Sequence, residues 1–183
     1  MEYRLKTPLT TEDIEKLRAG DSVILTGVIY TARDAAHKRM TEEYIEGKAF
    51  PMELKTAAIY YAGPCPAKPG EVIGSCGPTT AGRMDKYTPL LLDNGLKVMI
   101  GKGARNDEVT EAIIRNKAVY LGAVGGAGAL IACSIKSSEV ICYDDLGTEA
   151  IRKLYVEELP LTVLTDCSGN DLYKSGQREY IRE

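Results

Sequence analysis

The fold is decided by the stretch Val23-Ile24-Leu25-Thr26-Gly27-Val28-Ile29-Tyr30, which is largely apolar on both of the faces that a strand would present. A strand of this kind is buried on both sides, so we expect it in the middle of a sheet. It ends at Thr31-Ala32-Arg33-Asp34, and a helix is predicted from about residue 35 to residue 46. The unit is a strand, a polar turn and a helix.

The rest of the chain repeats this alternation. A first helix is predicted to begin after Thr10, with Asp13 in the capping-box position. Further strands are predicted at 57–61, 97–100, 118–121, 139–143 and 161–165. Further helices are predicted from Pro78 towards Leu92, from 107 to 116 behind an Asn106 cap, and from 148 to 154. The prediction is one α/β domain spanning residues 1–183, with a polar ending.

Composition and charge exclude several classes of protein. A chain of 183 residues with 44% apolar residues can close one core without disulfides. The formal charge is only −3 and the charged residues are scattered, so no nucleic-acid or membrane-surface partner is expected. The sequence has no apolar run of the roughly 18 to 20 residues that a membrane span needs, and its start lacks a signal-peptide core. We expect a cytoplasmic protein.

The cysteine and histidine content argues against a metal site in this chain. The cysteines are odd in number and lack a CxxC pair, which fits neither a disulfide framework nor a zinc ribbon. We predict five free, buried thiols: Cys65, Cys76, Cys133, Cys142 and Cys167. One imidazole, that of His37, cannot build a histidine-based metal site.

Three polar clusters follow apolar strands and open helices, which is where α/β sheets bind ligands. They are Arg33 with Asp34, Thr79 to Asp85, and Lys102 to Arg105. In the second cluster Thr79 or Thr80 can cap a helix, and Thr79 and Arg83 are predicted to share one face of its first turn. Free N–H groups beside a guanidinium would form a carboxylate or phosphate site.

Lys102 lies between two glycines that allow close backbone approach. Together with Arg33, Arg83 and Arg105 it could give three or four cations, which two carboxylates would balance. The alternative is that these cations are ordinary solvated surface groups.

Two glycine-rich stretches do not predict nucleotide binding. Residues 77–83 lack the GxxxxGK[ST] pattern of a phosphate loop, and residues 122–128 are not followed by an acidic ribose ligand at a clear strand end. A tight turn and close helix packing explain the glycines of the second stretch.

The clusters resemble the β subunit of class I fumarases and L-tartrate dehydratases over most of the chain. The resemblance rests on Thr31-Ala32-Arg33-Asp34-Ala35-Ala36-His37, Gly77-Pro78-Thr79-Thr80-Ala81-Gly82-Arg83-Met84-Asp85, Gly101-Lys102-Gly103-Ala104-Arg105, Tyr120-Leu121-Gly122 and Ser134-Ile135-Lys136-Ser137. It implies a swivelling β/β/α domain that closes over a [4Fe–4S] cluster. Three cysteines of a separate α subunit would hold that cluster, its fourth iron would bind a small dicarboxylate, and the assembly would be α2β2.

The same resemblance implies roles for single residues. Arg33, Arg83 and Lys102 would bind the substrate carboxylates together with Thr80. Thr79, assisted by Lys102, would move the proton next to a carboxylate.

The resemblance leaves the roles of three further residues open. Arg105 is either a substrate ligand or part of a structural ion pair. His37 is either an alternative base or a residue that orients Asp34 or the subunit interface, and Asp85 is either a partner of Arg83, a partner of a neighbouring helix turn, or a proton-transfer group. For the function, we expect hydration of fumarate to malate. The alternatives are tartrate dehydration and a stand-alone module that binds small carboxylates.

Overall fold

In the computed structural model, which describes residues 1–178, helices and strands alternate along most of the chain. The last residues of the predicted polar ending, 179–183, lie outside the described residues. The strands are β1 (Glu2–Lys6), β2 (Ser22–Thr31), β3 (Ala58–Tyr60), β4 (Val98–Gly101), β5 (Val119–Gly122), β6 (Ile135–Cys142) and β7 (Ile151–Thr165). The helices are α1 (Thr11–Lys16), α2 (Asp34–Ile45), α3 (Thr88–Asp93), α4 (Asp107–Asn116), α5 (Gly128–Ser134) and α6 (Leu172–Arg178).

The seven strands form one sheet in the order β1-β2-β3-β4-β5-β7-β6. The first five run parallel, and α2, α3 and α4 lie between successive strands in the chain. The long strand β7 runs antiparallel to both β5 and β2, so β2, β3, β4, β5 and β7 close into a ring. The predicted α/β fold is confirmed, and β2 is central, as expected, because it pairs with three strands.

Successive side chains of β3, β4 and β5 point to opposite faces of the sheet, so these strands contribute to two hydrophobic cores. Tyr60, Ile100 and Leu121 pack with residues of β7 on one face. Ile59, Met99 and Tyr120 pack on the other face against residues of α2, α3 and α4. The ring is thereby held from both sides, which fixes the position of the loops at its edges.

Two predicted helix starts are confirmed in detail. Thr10 and Asp13 form a reciprocal capping box at α1. The Asn106 side chain accepts a hydrogen bond of 2.9 Å from the Val109 N–H at the start of α4. None of the helices in residues 1–178 is long and apolar enough to cross a membrane.

The predicted helix at 148–154 is wrong. A 3₁₀ segment covers Asp144–Glu149, and β7 begins at Ile151. Residues 152–156 pair with β2 on one side and β6 on the other, and these long-range hydrogen bonds override the local helical pattern.

The prediction that a helix starts near Pro78 is also wrong. Pro78 pairs with Ala62 and Thr80 pairs with Lys102 as isolated bridges, and the helical segment is a 3₁₀ turn, Ala81–Met84. No threonine side chain caps that turn. Thr79 and Arg83 therefore do not share a helical turn.

Of the predicted free, buried thiols, all five are free, but only Cys76 and Cys167 are buried. Cys65 is exposed because it lies in the proline-rich surface loop, and Cys133 is exposed on α5. Cys142 is intermediate.

Candidate functional site at the carboxyl ends of the parallel strands

Three polar clusters predicted from sequence lie at or beyond the carboxyl ends of β2, β3 and β4. Arg33 follows β2, and its Nη1 lies 2.9 Å from where a side chain on Gly63, just after β3, would begin. Lys102 follows β4, and its ammonium lies 3.6 Å from where a side chain on Gly125, just after β5, would begin. Because parallel strands end at one edge of the sheet, both cations belong to the same edge.

The segment of Thr79 and Thr80 runs across this edge in extended form. The Thr79 N–H donates to the Tyr61 carbonyl at 2.7 Å, and the Ala81 N–H donates to the Lys102 carbonyl at 2.8 Å. The segment is thus held by the backbone that leaves β3 and β4. These bonds join residues far apart in sequence, so no local pattern could predict them.

The residue Thr79 is 8% exposed, and no hydrogen bond of its hydroxyl is found within residues 1–178. The Thr79 hydroxyl is not among the fully enclosed, unpartnered polar atoms of the described residues, so it remains accessible to solvent. Thr80 beside it is exposed. The backbone of both threonines therefore lies beside Lys102, with Thr80 exposed and Thr79 largely buried.

Arg33, Asp34 and Arg83 form one ionic cluster. Asp34 Oδ2 lies 3.4 Å from Arg33 Nε, and Asp34 Oδ1 lies 3.3 Å from Arg83 Nε. Glu149, which sequence reasoning missed, places Oε1 3.0 Å from Arg33 Nη2 and accepts from the Ala35 N–H at 2.7 Å. Nothing local in the sequence links Glu149 to Arg33, since the contact depends on where the chain enters β7.

The five charged side chains described at this edge carry an excess of one positive charge. Arg33, Arg83 and Lys102 are three cations, and Asp34 and Glu149 are two carboxylates. Within residues 1–178, Lys102 has no carboxylate within salt-bridge distance. An anion can thus bind here without displacing a partner of Lys102.

Arg105 and Asp85 lie apart from this cluster in the packed interior. The Arg105 side chain is 0% exposed, and its Nε lies 2.6 Å from Asp85 Oδ1. Its other nitrogens donate to Thr88 Oγ1 at 2.7 Å and to Tyr61 OH at 3.3 Å. Asp85 Oδ2 accepts from the Asn106 N–H at 2.8 Å, so it supports the start of α4.

These contacts bear on the alternatives left open for both residues. Arg105, one of the possible four cations, is enclosed in an ion pair with Asp85 and does not lie with the other three cations. Asp85 pairs with Arg105 and the α4 start, while the partner of Arg83 is Asp34. The reason is that both Asp85 and Arg105 turn towards the core face lined by Tyr61 and Tyr120, whose rings flank the guanidinium.

His37 is fully buried one helical turn after Arg33. Its Nδ1 lies 3.1 Å from the Arg33 carbonyl, and because a carbonyl only accepts, Nδ1 carries the proton. The ring packs edge-on against Tyr61 at 5.3 Å between centroids. In this position His37 contacts the backbone of Arg33 and has no exposed atom with which to reach a ligand.

Burial lowers the pKa of His37 from its usual 6.5 to about 4, and the nearby Arg105 charge adds to this, although the hydrogen bond to Arg33 opposes it. Between pH 6.5 and 4 the unfolded chain therefore binds a proton that the folded chain does not. Stability is complete above pH 6.5 and falls as the pH drops towards 4. We expect the free energy of unfolding to fall by about 2 kcal/mol between pH 7.5 and pH 5.

Urea unfolding at these two pH values measures this loss, and His37→Gln provides the comparison. His37 is the single histidine of the chain, and ordinary carboxylates remain ionised at pH 5, so the variant should lose much less stability over the same interval. An equal loss in both proteins would contradict the assignment of a neutral, buried His37.

Comparisons with known proteins show the family of this chain. The family model described as the fumarase C-terminus matches residues 1–176. The anaerobic class I fumarate hydratase of Escherichia coli K12 is 45% identical over 152 residues, which are 82% of this chain and 28% of that protein. Fumarate hydratase 2 of Leishmania major is 39% identical over 173 residues, or 92% of this chain and 30% of that protein.

A third relative has nearly the same extent as this chain. It is a protein of Methanocaldococcus jannaschii with the provisional name L(+)-tartrate dehydratase subunit beta, 38% identical over 180 residues, which cover 95% of this chain and 92% of that protein. By contrast, the chain spans less than a third of the two fumarate hydratases. With a family model that covers nearly the whole sequence, this chain belongs to the fumarase C-terminus family.

Proposed function

We propose that this chain, as one domain, is the β subunit of a two-subunit hydro-lyase that hydrates fumarate to malate. The observation that carries the proposal is that Arg33 and Lys102 follow neighbouring parallel strands at one edge of the sheet, where Asp34 links Arg33 to Arg83 and the backbone of the Thr79 segment bonds to that of Lys102. Two further findings support it: the fumarate hydratase relatives, and the relative of equal extent that is named a subunit beta.

In this proposal the cations bind the two carboxylates of the substrate. Arginine binds a carboxylate through two parallel N–H groups, whereas Lys102 acts as a compact charge. Thr80, exposed beside Lys102, adds a hydroxyl to the binding set. The one excess positive charge at the edge favours a dianion over a neutral substrate.

Thr79 is proposed to move the proton at the carbon next to one carboxylate. In hydration the Thr79 hydroxyl gives its proton to this carbon and becomes an alkoxide, and in the reverse direction the alkoxide takes the proton back. In both directions negative charge is present on the adjacent carboxylate in the transition state, and cations already in place stabilise it without reorganisation. The same cations lower the cost of removing the threonine proton, which an isolated hydroxyl gives up very poorly. Lys102 is proposed to assist in this, because its backbone pairs with the Thr79–Thr80 segment.

Residues 1–178 do not offer the ligands that a [4Fe–4S] cluster needs. No group of three or more His, Cys, Asp or Glu side chains within residues 1–178 could hold a metal ion. Burial raises the pKa of the Cys76 thiol to about 12, which disfavours the thiolate that such a cluster requires. We propose that an α subunit holds the cluster and that two copies of each subunit assemble as α2β2.

The second candidate is the same chemistry on tartrate, and the specific observation in its favour is the name of the equal-length relative. Both substrates are dicarboxylates, so the cations Arg33, Arg83 and Lys102 serve either. A stand-alone module that binds small carboxylates is the third possibility.

Co-expression with a cluster-bearing partner, followed by anaerobic assay on fumarate, malate and tartrate, tests the proposal. We expect the chain alone to be colourless and inactive and the complex to turn over fumarate and malate. Turnover of tartrate alone would select the second candidate. Binding of dicarboxylates by the isolated chain, with no activity from any partner, would support the module instead.

The Arg83 side chain supplies a sharper test of carboxylate binding. Arg83→Lys keeps the charge but loses the paired N–H groups, so we expect KM to rise at least tenfold and kcat to fall with it, because a misplaced substrate reacts poorly. Steady-state kinetics of the complex measures both. Arg115→Lys, on the exposed Asp93 pair, is the matched control and should leave both unchanged. Unchanged KM in Arg83→Lys would remove Arg83 from the binding set.

A further inference from the structure

Asp34 stands between the two arginines that the proposed function assigns to the substrate. Its Oδ1 faces Arg83 Nε at 3.3 Å and its Oδ2 faces Arg33 Nε at 3.4 Å. The contact with Arg33 lacks hydrogen-bond geometry, since both atoms are enclosed and neither has a hydrogen-bond partner within residues 1–178. One carboxylate therefore faces two guanidinium groups at similar distances.

The three side chains come from segments that no backbone hydrogen bond joins directly. Arg33 and Asp34 start α2, whereas Arg83 lies on the separate 3₁₀ turn Ala81–Met84. Glu149 is a second carboxylate partner of Arg33, whereas Asp34 is the one carboxylate within salt-bridge distance of Arg83 in residues 1–178. The Arg83 side chain is 50% exposed, so little packing would hold it in place without that contact.

We propose that Asp34 is a positioning residue that holds Arg33 and Arg83 at a fixed spacing, and so sets the geometry in which they receive a substrate carboxylate. The inference rests on the proposed function. Without the carboxylate between them, the two guanidinium groups repel each other and Arg83 loses its partner. Two guanidinium groups that are already ordered lose less conformational entropy when they bind a substrate than two that must first be ordered.

A purely electrostatic role for Asp34 makes the opposite prediction. A negative charge beside the site repels a dianionic substrate, so its removal alone would lower KM. If Asp34 positions the arginines, its removal raises KM in spite of the gain in positive charge. The direction of the change therefore separates the two roles.

The first arm of the test is kinetics of the assembled enzyme with Asp34→Asn, which keeps the shape and removes the charge. We expect KM for the dicarboxylate to rise by about tenfold, with kcat changed less than threefold. Asp34→Glu keeps the charge and moves it by one methylene, so it should also raise KM. Asp145→Asn removes the carboxylate that pairs with Arg39 of α2 and should leave KM unchanged.

The second arm needs no activity and uses the isolated chain. In ¹⁵N spectra, Asp34→Asn should move the Nε–H signals of both Arg33 and Arg83, Glu149→Gln should move that of Arg33 alone, and Asp145→Asn that of Arg39 alone. If no dicarboxylate is turned over by the parent complex, the proposed function fails and this arm still decides on positioning. A lowered or unchanged KM in Asp34→Asn, or a signal shift confined to one arginine, overturns the proposal.

Discussion

A Thr79→Val enzyme is expected to lose turnover by roughly 10²- to 10⁴-fold while KM changes little, because the change keeps the shape and removes only the hydroxyl proposed to move the proton. Folding should be preserved. The Thr79 hydroxyl makes no hydrogen bond within residues 1–178, and the backbone bonds to Tyr61 and Lys102 that hold the segment remain. Steady-state kinetics of the complex, together with unfolding curves of the chain, measures both effects.

Thr110→Val is the matched control for this variant. The Thr110 hydroxyl donates to the carbonyl of Asn106, the cap of α4, and Thr110 is not among the residues of the proposed site, so turnover should stay at the parent value. Thr79→Val turnover within about threefold of the parent would exclude Thr79 as the base. His37 could not replace it in this structure, because the imidazole is fully enclosed, so a group of the partner subunit would become the candidate.

Arg105→Met is expected to destabilise the folded chain by about 3–5 kcal/mol, because it leaves Asp85 as a buried charge without its partner. The Arg105 side chain is 0% exposed, and the change also removes donors from Thr88 and Tyr61. The pKa of Arg105 reflects this setting: burial alone would lower it, but Tyr61 and Asp85 together raise it. Urea unfolding at pH 7.5 measures the loss.

Two comparisons isolate the buried charge as the cause. Arg115→Met removes an arginine that is 54% exposed and paired with Asp93, and should cost less than about 1 kcal/mol. In the double variant Arg105→Met with Asp85→Asn, the uncompensated charge is gone, so part of the lost stability should return. If Arg105→Met were no more destabilising than Arg115→Met, the structural role of the pair would be wrong.

Elements whose signals are local could be predicted from the sequence. The capping box of Thr10 and Asp13, the Asn106 cap of α4 and the apolar run of β2 each lie within about ten residues, and all three are confirmed. The placement of cations after β2 and β4 was also predictable, because polar residues after buried strands collect at one sheet edge.

Features that depend on distant pairing could not be predicted. The segment of Thr79 is extended because it bonds to the ends of β3 and β4, and residues 151–154 are a strand because two other strands flank them. The same holds for the partners of the arginines. Arg83 faces Asp34, Arg105 faces Asp85, and Glu149 reaches Arg33 across more than a hundred residues of chain.

The most direct test of the central claim is a titration of separately purified subunits. A fixed amount of cluster-bearing partner receives increasing amounts of this chain under anaerobic conditions, and fumarate hydration is recorded. We predict negligible activity from either protein alone and a rate that rises and saturates at one chain per partner, with Thr79→Val giving the same saturation point at a far lower plateau. Full activity of the partner alone, or a rate that this chain does not increase, would contradict the account.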